Sequence, residues 1–217
     1  MTVVIPAYDP DEQLLKLLPE LHRLFPRIVL VDDGSVRGRE VIAAAAPYVS
    51  QTLVHPVNRG KGAALKTAFA ALGDEDVITV DADGQHSPAD VRRIAEALQT
   101  HRGGLVLGTR CLASMPFRSW WGNAWTCMVF FLFTGLWVRD TQTGLRGIPA
   151  GLLRRVAALP GDRYEYEMAM LADARLHPER PLQLPITTIY REGNASSHFS
   201  PLRDTVRIFA ALVRSRM

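Results

Sequence analysis

The sequence predicts an α/β fold in which a mostly parallel, Rossmann-like sheet carries helices on both faces. The first half of the chain alternates short β-branched runs with segments whose apolar residues recur at helical spacing. No linker or internal repeat interrupts the chain, and its 217 residues are enough for one sizeable core. We therefore expect a single domain over residues 1–217.

Five short apolar runs are the predicted strands of this sheet. They are TVVI (2–5), RIVLV (27–31), TLV (52–54), VITV (77–80) and GLVLG (104–108). Helical patterns lie between them, with apolar positions at Leu14, Leu17, Leu18, Leu21 and Leu24, at Ala64, Leu65, Ala68 and Phe69, and at Val91, Ile94 and Leu98. Strands that alternate with helices predict a parallel sheet, because a parallel connection needs a crossover.

The second half of the chain predicts a less regular arrangement. Residues 119–138 carry no charge and are expected to form a helix followed by a short strand at GLWV (135–138). A membrane span needs roughly 20 apolar residues, but polar residues dilute this segment. A buried core helix and a helix lying on lipid are the two expectations. A helix over Tyr164–Leu176, a strand in LQLPITTIY (182–190) and a C-terminal amphipathic helix follow.

Composition and charge restrict the function. A net charge of +3 is too small to indicate a nucleic-acid partner. The two cysteines, Cys111 and Cys127, fit neither a disulfide framework nor a zinc site with paired cysteines. The N-terminus lacks the basic start and apolar stretch of a signal peptide. Together these features predict a cytoplasmic protein.

Acidic residues follow three of the predicted strands, at the point where each strand ends. The first strand runs into PAYDP, the second into DDGS and the fourth into DADGQ. In parallel sheets, ligands bind in the crevice outside the carboxyl ends of the strands. The sequence therefore predicts a binding site at this edge of the sheet.

Asp81 and Asp83 are candidates for a metal site. Side chains two residues apart in an extended segment point the same way, so both carboxylates can face one point. Oxygen ligands favour Mg²⁺ or Mn²⁺, which usually bring substrate phosphates with them. The alternative is a solvated turn, because Asp and Gly are common turn residues.

Two further groups near strand ends are suited to a nucleotide-like ligand. Asp32 and Asp33 can accept hydrogen bonds from a ribose or a base, or they can cap the next helix. Lys61 lies in NRGKG at the start of a predicted helix, which is a natural anion site. The alternative for Lys61 is a solvated surface charge.

Five motifs, in this order and at these intervals, resemble one family. VVIPAYDP, LVDDGS, NRGKGAAL, DADGQHSP and DTQTGLRG are similar to segments of the family-two glycosyltransferases, which have a GT-A fold. The dolichol-phosphate mannosyltransferase-like and polyprenyl-phosphate glycosyltransferase branch is the most similar. The resemblance implies an inverting transfer of a sugar from a UDP or GDP sugar with Mg²⁺ or Mn²⁺. It also implies a nucleotide-binding half (1–110) and an acceptor-side half (111–217).

The resemblance assigns roles to individual positions of this chain. The residues implied for binding the nucleotide sugar are Pro6, Tyr8, Asp9, Asp32, Asp33, Lys61, Asp81, Ala82, Asp83, Arg191 and His198. The implied metal ligands are Asp81, Asp83 and Gln85. The residues implied for catalysis are Asp140, Glu165, Glu167, Arg110, Arg118 and Arg146.

The nature of the acceptor decides which of these residues matter. A hydroxyl acceptor needs a general base, for which Asp140, Glu165 and Glu167 are the candidates. A lipid phosphate is already anionic, so Arg110 and Arg118 become phosphate clamps instead. The favoured hypothesis is a polyprenyl or dolichyl phosphate acceptor at the membrane surface.

The C-terminal residues 201–217 bear on the membrane hypothesis. Arginines there flank an apolar stripe, which is typical of a helix on an anionic leaflet, and an ordinary surface helix is the alternative. A protein peripheral on the cytoplasmic face, a separate membrane-protein partner and a homo-oligomer all stay open. Three other functions are also open: transfer to a hydroxyl of a soluble glycan or small molecule, a non-catalytic nucleotide-sugar-binding module, and a sugar nucleotidyltransferase.

Overall fold

A computed structural model describes residues 1–110 and 117–189, and within α5 (Phe117–Thr134) it describes side chains from residue 121 onward. In these ranges one sheet has the strand order β3-β2-β1-β4-β6-β5-β7. Its strands are β1 (Thr2–Ala7), β2 (Ile28–Asp32), β3 (Gln51–Val54), β4 (Val77–Thr79), β5 (Val106–Arg110), β6 (Arg146–Ile148) and β7 (Leu182–Ile186). β6 runs antiparallel to β4 and β5, and the other neighbouring strands are parallel.

Helices cover both faces of this sheet. Besides α5, they are α1 (Gln13–Leu24), α2 (Arg39–Ala45), α3 (Lys61–Leu72), α4 (Pro88–Thr100), α6 (Ala150–Ala157) and α7 (Glu165–Ala174), with a short 3₁₀ helix at Ala46–Tyr48. One buried cluster joins α1 and α4 to the sheet, and a second joins α3, α6 and α7 to it. The predicted mostly parallel α/β architecture is confirmed.

The elements expected in the first half match the structure closely. The five predicted strands correspond to β1 to β5, and the three helical patterns correspond to α1, α3 and α4. Leu24 was expected on the apolar face of α1, which is wrong: its side chain is 41% exposed. Phe25, the next residue, is buried in its place, because the chain leaves the helix there in an extended conformation.

Among the described residues of the second half, one prediction is wrong and two elements were missed, and the predicted C-terminal helix lies outside the described residues. GLWV (135–138) is not a strand. The side-chain amide of Gln183 accepts a hydrogen bond from the Arg139 N–H at 2.8 Å and donates one to the Trp137 carbonyl at 3.0 Å. A side chain thus satisfies backbone groups that a neighbouring strand would otherwise pair. The missed elements are β6 and α6, and β6 escaped detection because it is short and begins with an arginine.

α5 combines features of both expectations for the uncharged segment. Asn123, Cys127 and Phe130 are buried against the rest of the protein. Trp125 and Leu132, on the other side of the helix, are 58% and 66% exposed. One side of the helix is therefore buried in the protein, and the opposite side exposes large apolar side chains. Within residues 1–110 and 117–189, no helix is long and apolar enough to cross a membrane.

Candidate active site

The carboxyl ends of β1, β2 and β4 lie side by side at one edge of the sheet. These strands are parallel neighbours, so the acidic residues that follow them meet there. Pro6 lies within β1, opposite Val31 of β2, and Tyr8 follows β1. Arg110 ends β5 and approaches the same edge beyond β6. The strand order thus brings together motifs that are far apart in the sequence.

Asp9 is held by backbone N–H groups of the neighbouring loop. Its Oδ1 accepts hydrogen bonds from Val36, Arg37 and Gly38 at 2.7, 2.8 and 3.1 Å. Burial opposes ionisation of this carboxyl, but these hydrogen bonds and the Arg37 charge outweigh it and lower the pKa of Asp9. Its backbone has a φ of 45°. Asp9 therefore organises the loop after β2.

Asp33 is occupied by contacts within the protein. Its Oδ1 lies 2.7 Å from Nδ1 of the buried His55 and accepts a hydrogen bond from the Arg59 N–H at 2.9 Å. Its Oδ2 accepts one from the Gly60 N–H at 2.7 Å. His55 was missed in the sequence because a lone histidine carries no signal of its own. Asp33 and His55 together shape the loop that leads into α3.

Asp32 acts more locally than Asp33. Its Oδ1 accepts a hydrogen bond from the Ser35 N–H at 2.9 Å, in the turn around Gly34. Gly34 has a φ of 75°, and a Cβ there would collide with the backbone of Val57. Asp32 therefore stabilises a turn instead of capping the next helix, and this turn packs against the loop before α3.

Lys61 is an internal ion-pair partner at the start of α3. Its ammonium lies 2.6 Å from Asp81 Oδ1 and 3.0 Å from Glu167 Oε1, and its side chain is 17% exposed. The alternative of a solvated surface charge is therefore wrong. Burial would lower the pKa of Lys61, but the two carboxylates outweigh burial and raise it above its ordinary value.

Asp81 and Asp83 differ in their surroundings. Burial opposes ionisation of Asp81, yet Lys61 and His86 outweigh it and hold its pKa well below the ordinary range. Burial and the negative charge of Asp81 raise the pKa of Asp83. A divalent cation facing both carboxylates would remove this repulsion, so the oxygen donors fit Mg²⁺ or Mn²⁺.

The described part of the chain does not by itself supply all the ligands of such a metal site. In residues 1–110 and 117–189, no three His, Cys, Asp or Glu side chains are grouped to hold a metal ion. Two carboxylates would leave the other coordination positions to water and to the phosphates of a ligand. Ala82 separates them and Gln85 closes the turn, where the Gln85 N–H donates to Asp83 Oδ1 at 3.0 Å.

The loop at residues 140–144 forms the floor below the metal motif. Arg146 is fully buried and donates to the carbonyls of Thr143, Thr141 and Glu167 at 2.9, 3.3 and 2.6 Å. Burial lowers the pKa of Arg146, although the surrounding carboxylates oppose this. Gly144 lies against Asp81 so closely that a Cβ there would collide with the carboxylate. No pattern in the sequence predicts this contact.

The three carboxylates considered as general bases all have partners within the protein. Asp140 is fully buried and receives hydrogen bonds from Arg110 Nε at 2.6 Å and from its Nη2 at 2.9 Å. Glu165 Oε1 accepts from the backbone N–H groups of Asp162 and Arg163 at 3.2 and 3.3 Å. Glu167 is paired with Lys61.

The remaining candidate positions lie partly outside the described side chains. Arg118 is in α5, and its side chain lies outside the described part of the structure. Arg191 and His198 also lie outside the described residues. The last described residues before Arg191 lie beside the metal motif. His86 forms a β-bridge with Thr188, and the Ile189 N–H donates to the Gln85 carbonyl at 3.2 Å.

An α/β fold with an acidic crevice at the carboxyl ends of its parallel strands is typical of the GT-A glycosyltransferases, and comparisons with known proteins agree. The model of the family "Glycosyl transferase family 2" matches residues 2–159. The chain belongs to this family and is a glycosyltransferase. This favours a glycosyltransferase over the sugar nucleotidyltransferase considered from the sequence.

Relatives with similar sequences span most of the chain. An uncharacterized protein of Methanocaldococcus jannaschii is 31% identical over 204 residues, covering 89% of this chain and 83% of its own. A UDP-N-acetylglucosamine–dolichyl-phosphate N-acetylglucosaminyltransferase of Methanococcus voltae is 28% identical and covers 88% and 86%. A polyprenol monophosphomannose synthase of Mycolicibacterium smegmatis is 26% identical and covers 89% and 79%. The resemblance to the polyprenyl-phosphate branch is confirmed.

Solved structures support the fold. The crystal structure of glucosyl-3-phosphoglycerate synthase from Mycobacterium tuberculosis, in complex with Mn²⁺, UDP and phosphoglyceric acid, superposes with a TM-score of 0.71. The match covers 99% of this chain and 77% of that chain at 20% sequence identity. The GT-A fold implied by the motifs is thereby confirmed.

Proposed function

We propose that this protein is a metal-dependent, inverting glycosyltransferase that moves a sugar from a UDP or GDP sugar to a polyprenyl or dolichyl phosphate. The observation that carries the proposal is the state of the three candidate bases. Asp140, Glu165 and Glu167 are each bound by a cation or by backbone N–H groups. Each of these carboxylates thus already serves a contact within the protein through at least one oxygen, whereas a general base has to reach the proton of the acceptor. A phosphate acceptor needs no base, because it is already ionised.

Donor binding is proposed at the acidic edge of the sheet. Asp81 and Asp83 would hold Mg²⁺ or Mn²⁺ with Gln85, and the ion would supply Lewis-acid stabilisation of the charge on the leaving diphosphate. Tyr8 and Asp32 flank the region proposed for the base and ribose. Asp9 and Asp33 contribute by ordering the loops around it, since their carboxylates already bind backbone N–H groups.

Acceptor binding is proposed on the side of α5. Arg110 lies at the end of β5 with Asp140 fixing its guanidinium, so its position is defined before any ligand arrives. Arg118 in α5 is the second proposed phosphate clamp. Two relatives support a lipid acceptor by their names. The relative from Methanococcus voltae is named as a transferase to dolichyl phosphate, and the relative from Mycolicibacterium smegmatis is named as a polyprenol monophosphomannose synthase.

The exposed side of α5 supports action at a membrane surface. Trp121, Trp125 and Leu132 are more than half exposed and share this side with Met128. Tryptophan is favoured at the boundary between lipid and water. We therefore propose a protein that is peripheral on the cytoplasmic face of the membrane, alone, as a homo-oligomer or with a membrane-protein partner.

A matched pair of acceptors tests the function. The purified protein is incubated with Mn²⁺ and a panel of UDP and GDP sugars, and with either a polyprenyl phosphate or the corresponding polyprenol in detergent. We expect sugar transfer to the phosphate alone, and loss of transfer in Asp83→Asn and after chelation. Transfer to the polyprenol or to a soluble glycan would instead establish a hydroxyl acceptor. Absence of nucleotide binding would contradict the proposal as a whole.

A further inference from the structure

Lys61 bridges two carboxylates that come from different elements. Its ammonium lies 2.6 Å from Asp81 Oδ1, in the proposed metal motif, and 3.0 Å from Glu167 Oε1, in α7. The side chains of Asp81 and Glu167 are 26% and 7% exposed, so solvent screens these pairs only partly. The charge of Asp81 is therefore balanced without any metal ion.

The other sides of Asp81 are also occupied. Its Oδ2 lies 3.6 Å from Nε2 of His86, and Gly144 packs directly against the carboxylate. Asp83 has no ammonium or guanidinium partner among the described ion pairs, and it lies beside the negative charge of Asp81. Without a metal ion, the negative charge of Asp81 is thus neutralised by Lys61, whereas that of Asp83 is not.

We propose that Lys61 is a built-in counter-ion that competes with the divalent cation for Asp81, so that the protein binds the metal tightly only together with a nucleoside diphosphate. This inference rests on the proposed function. A lone cation has to displace an ammonium in direct contact with the carboxylate, and the displacement costs part of the binding free energy. A diphosphate adds further ligands to the cation and a new anion for Lys61, which offsets that cost.

Glu167 makes this exchange possible without leaving a bare buried charge. When Asp81 turns to the cation, Glu167 stays available to Lys61, whose ammonium it contacts at 3.0 Å in the present structure. An unpaired ammonium at a site with this little exposure would be strongly unfavourable. The second carboxylate therefore lowers the cost of releasing the first one.

The backbone around Lys61 keeps the ammonium within reach of both partners. A Cβ at Gly60 or Gly62 would collide with Asp162 or with the side chain of Tyr166, so the start of α3 packs closely on the start of α7. The Ala63 N–H donates to the Asp162 carbonyl at 3.0 Å across this contact. The position of Lys61 is thus set by the packing of two helices, as a counter-ion requires.

The inference is tested by Mn²⁺ binding, measured by electron paramagnetic resonance and by calorimetry, without nucleotide and with UDP or GDP. The variant Lys61→Met removes the ammonium and keeps most of the apolar stem. Lys66→Met is the matched control, because Lys66 lies on the same helix and pairs with Asp162 at 2.7 Å instead of with the metal motif. Circular dichroism and thermal melting establish that each variant is folded.

For Lys61→Met we expect Mn²⁺ alone to bind about tenfold more tightly than to the wild type, so that the nucleotide enhances metal binding less. Lys66→Met should behave as the wild type. A gain of less than about threefold, weaker binding, or an equal gain in Lys66→Met overturns the inference. If Lys61→Met is unfolded, Lys61→Gln replaces it under the same criteria. A wild type that binds no Mn²⁺ even with UDP or GDP contradicts the proposed function itself, and the two failures are thus distinguishable.

Discussion

Arg110 holds both carboxylate oxygens of Asp140, with Nε 2.6 Å from Oδ2 and Nη2 2.9 Å from Oδ1. The Arg110 N–H adds a third contact to Oδ2 at 3.3 Å, and the Gln142 N–H donates to Oδ1 at 3.1 Å. Asp140 is fully buried, whereas the Arg110 side chain is 17% exposed. This pair ties the end of β5 to the loop below the metal motif, and it orients a guanidinium toward the proposed acceptor side.

We expect Arg110→Lys to destabilise the protein by about 3 kcal/mol, because an ammonium cannot match both oxygens of a buried carboxylate. Urea unfolding monitored by circular dichroism measures the change. The matched control is Arg154→Lys, since Arg154 pairs with Asp74 at 2.7 Å where the two side chains are 81% and 59% exposed. That control should change stability little. Equal effects of the two substitutions would contradict a special role for the buried pair.

We expect His55→Ala to weaken both folding and nucleotide binding. His55 contacts Asp33 through Nδ1 and Thr67 Oγ1 through Nε2 at 2.7 and 2.9 Å, and its loss leaves a buried carboxylate short of one partner. The expected destabilisation is about 2 kcal/mol. Calorimetry with UDP and GDP should show weaker binding, since Asp33 also orders the loop before α3. His22→Ala, at an exposed histidine, should leave nucleotide affinity unchanged.

Gly144→Ala should weaken metal-dependent nucleotide binding while the fold persists. The added Cβ would meet the Asp81 carboxylate, which must move away from its present contacts. We expect binding of Mn²⁺ with UDP or GDP to fall by at least about tenfold in calorimetry. Gly151→Ala serves as the control, because a Cβ at that helical position meets no atom within 4 Å. Wild-type binding by Gly144→Ala would contradict the close contact.

The lowered pKa of Asp9 predicts a stability contribution that depends on pH. A carboxyl whose folded pKa lies below its ordinary value of 3.8 contributes fully above that pH, and the contribution is lost as the pH falls through the folded pKa. Asp9→Asn should therefore be less stable than the wild type near neutral pH, and the difference should shrink below about pH 3.8. Chemical unfolding at a series of pH values measures this. Asp11→Asn, on an exposed neighbour, controls for the loss of a charge.

Much of the structure of residues 1–110 could be predicted from the sequence because its elements are specified by local patterns. Apolar runs such as VITV and helical patterns such as that of α4 each specify one element, and parallel order then places the acidic strand ends together. Ser87 and Pro88 even mark the start of α4, where Ser87 Oγ accepts a hydrogen bond from the Ala89 N–H at 3.2 Å.

The rest depends on contacts between distant residues, which a single sequence does not reveal. β6 is a strand only because β4 and β5 pair with it, and its first residue is an arginine whose partners are three backbone carbonyls. His55 and Gly144 matter through Asp33 and Asp81, from which they are well separated in the chain. The double pairing of Lys61 likewise requires α7 to be in place.

The antiparallel pairing of β5 with β6 has a consequence for how this enzyme class can vary. The chain leaves the sheet after Arg110 and returns at Arg146, and the Gly108 N–H donates to the Leu145 carbonyl at 2.9 Å, so the two ends of this excursion are already joined. Closing a loop between fixed neighbouring ends costs little extra entropy when the loop is lengthened. The part of the excursion before Asp140 can therefore change in length without reopening the sheet, whereas residues 140–144 are held in place by the Asp140–Arg110 pair and by the contact of Gly144 with Asp81.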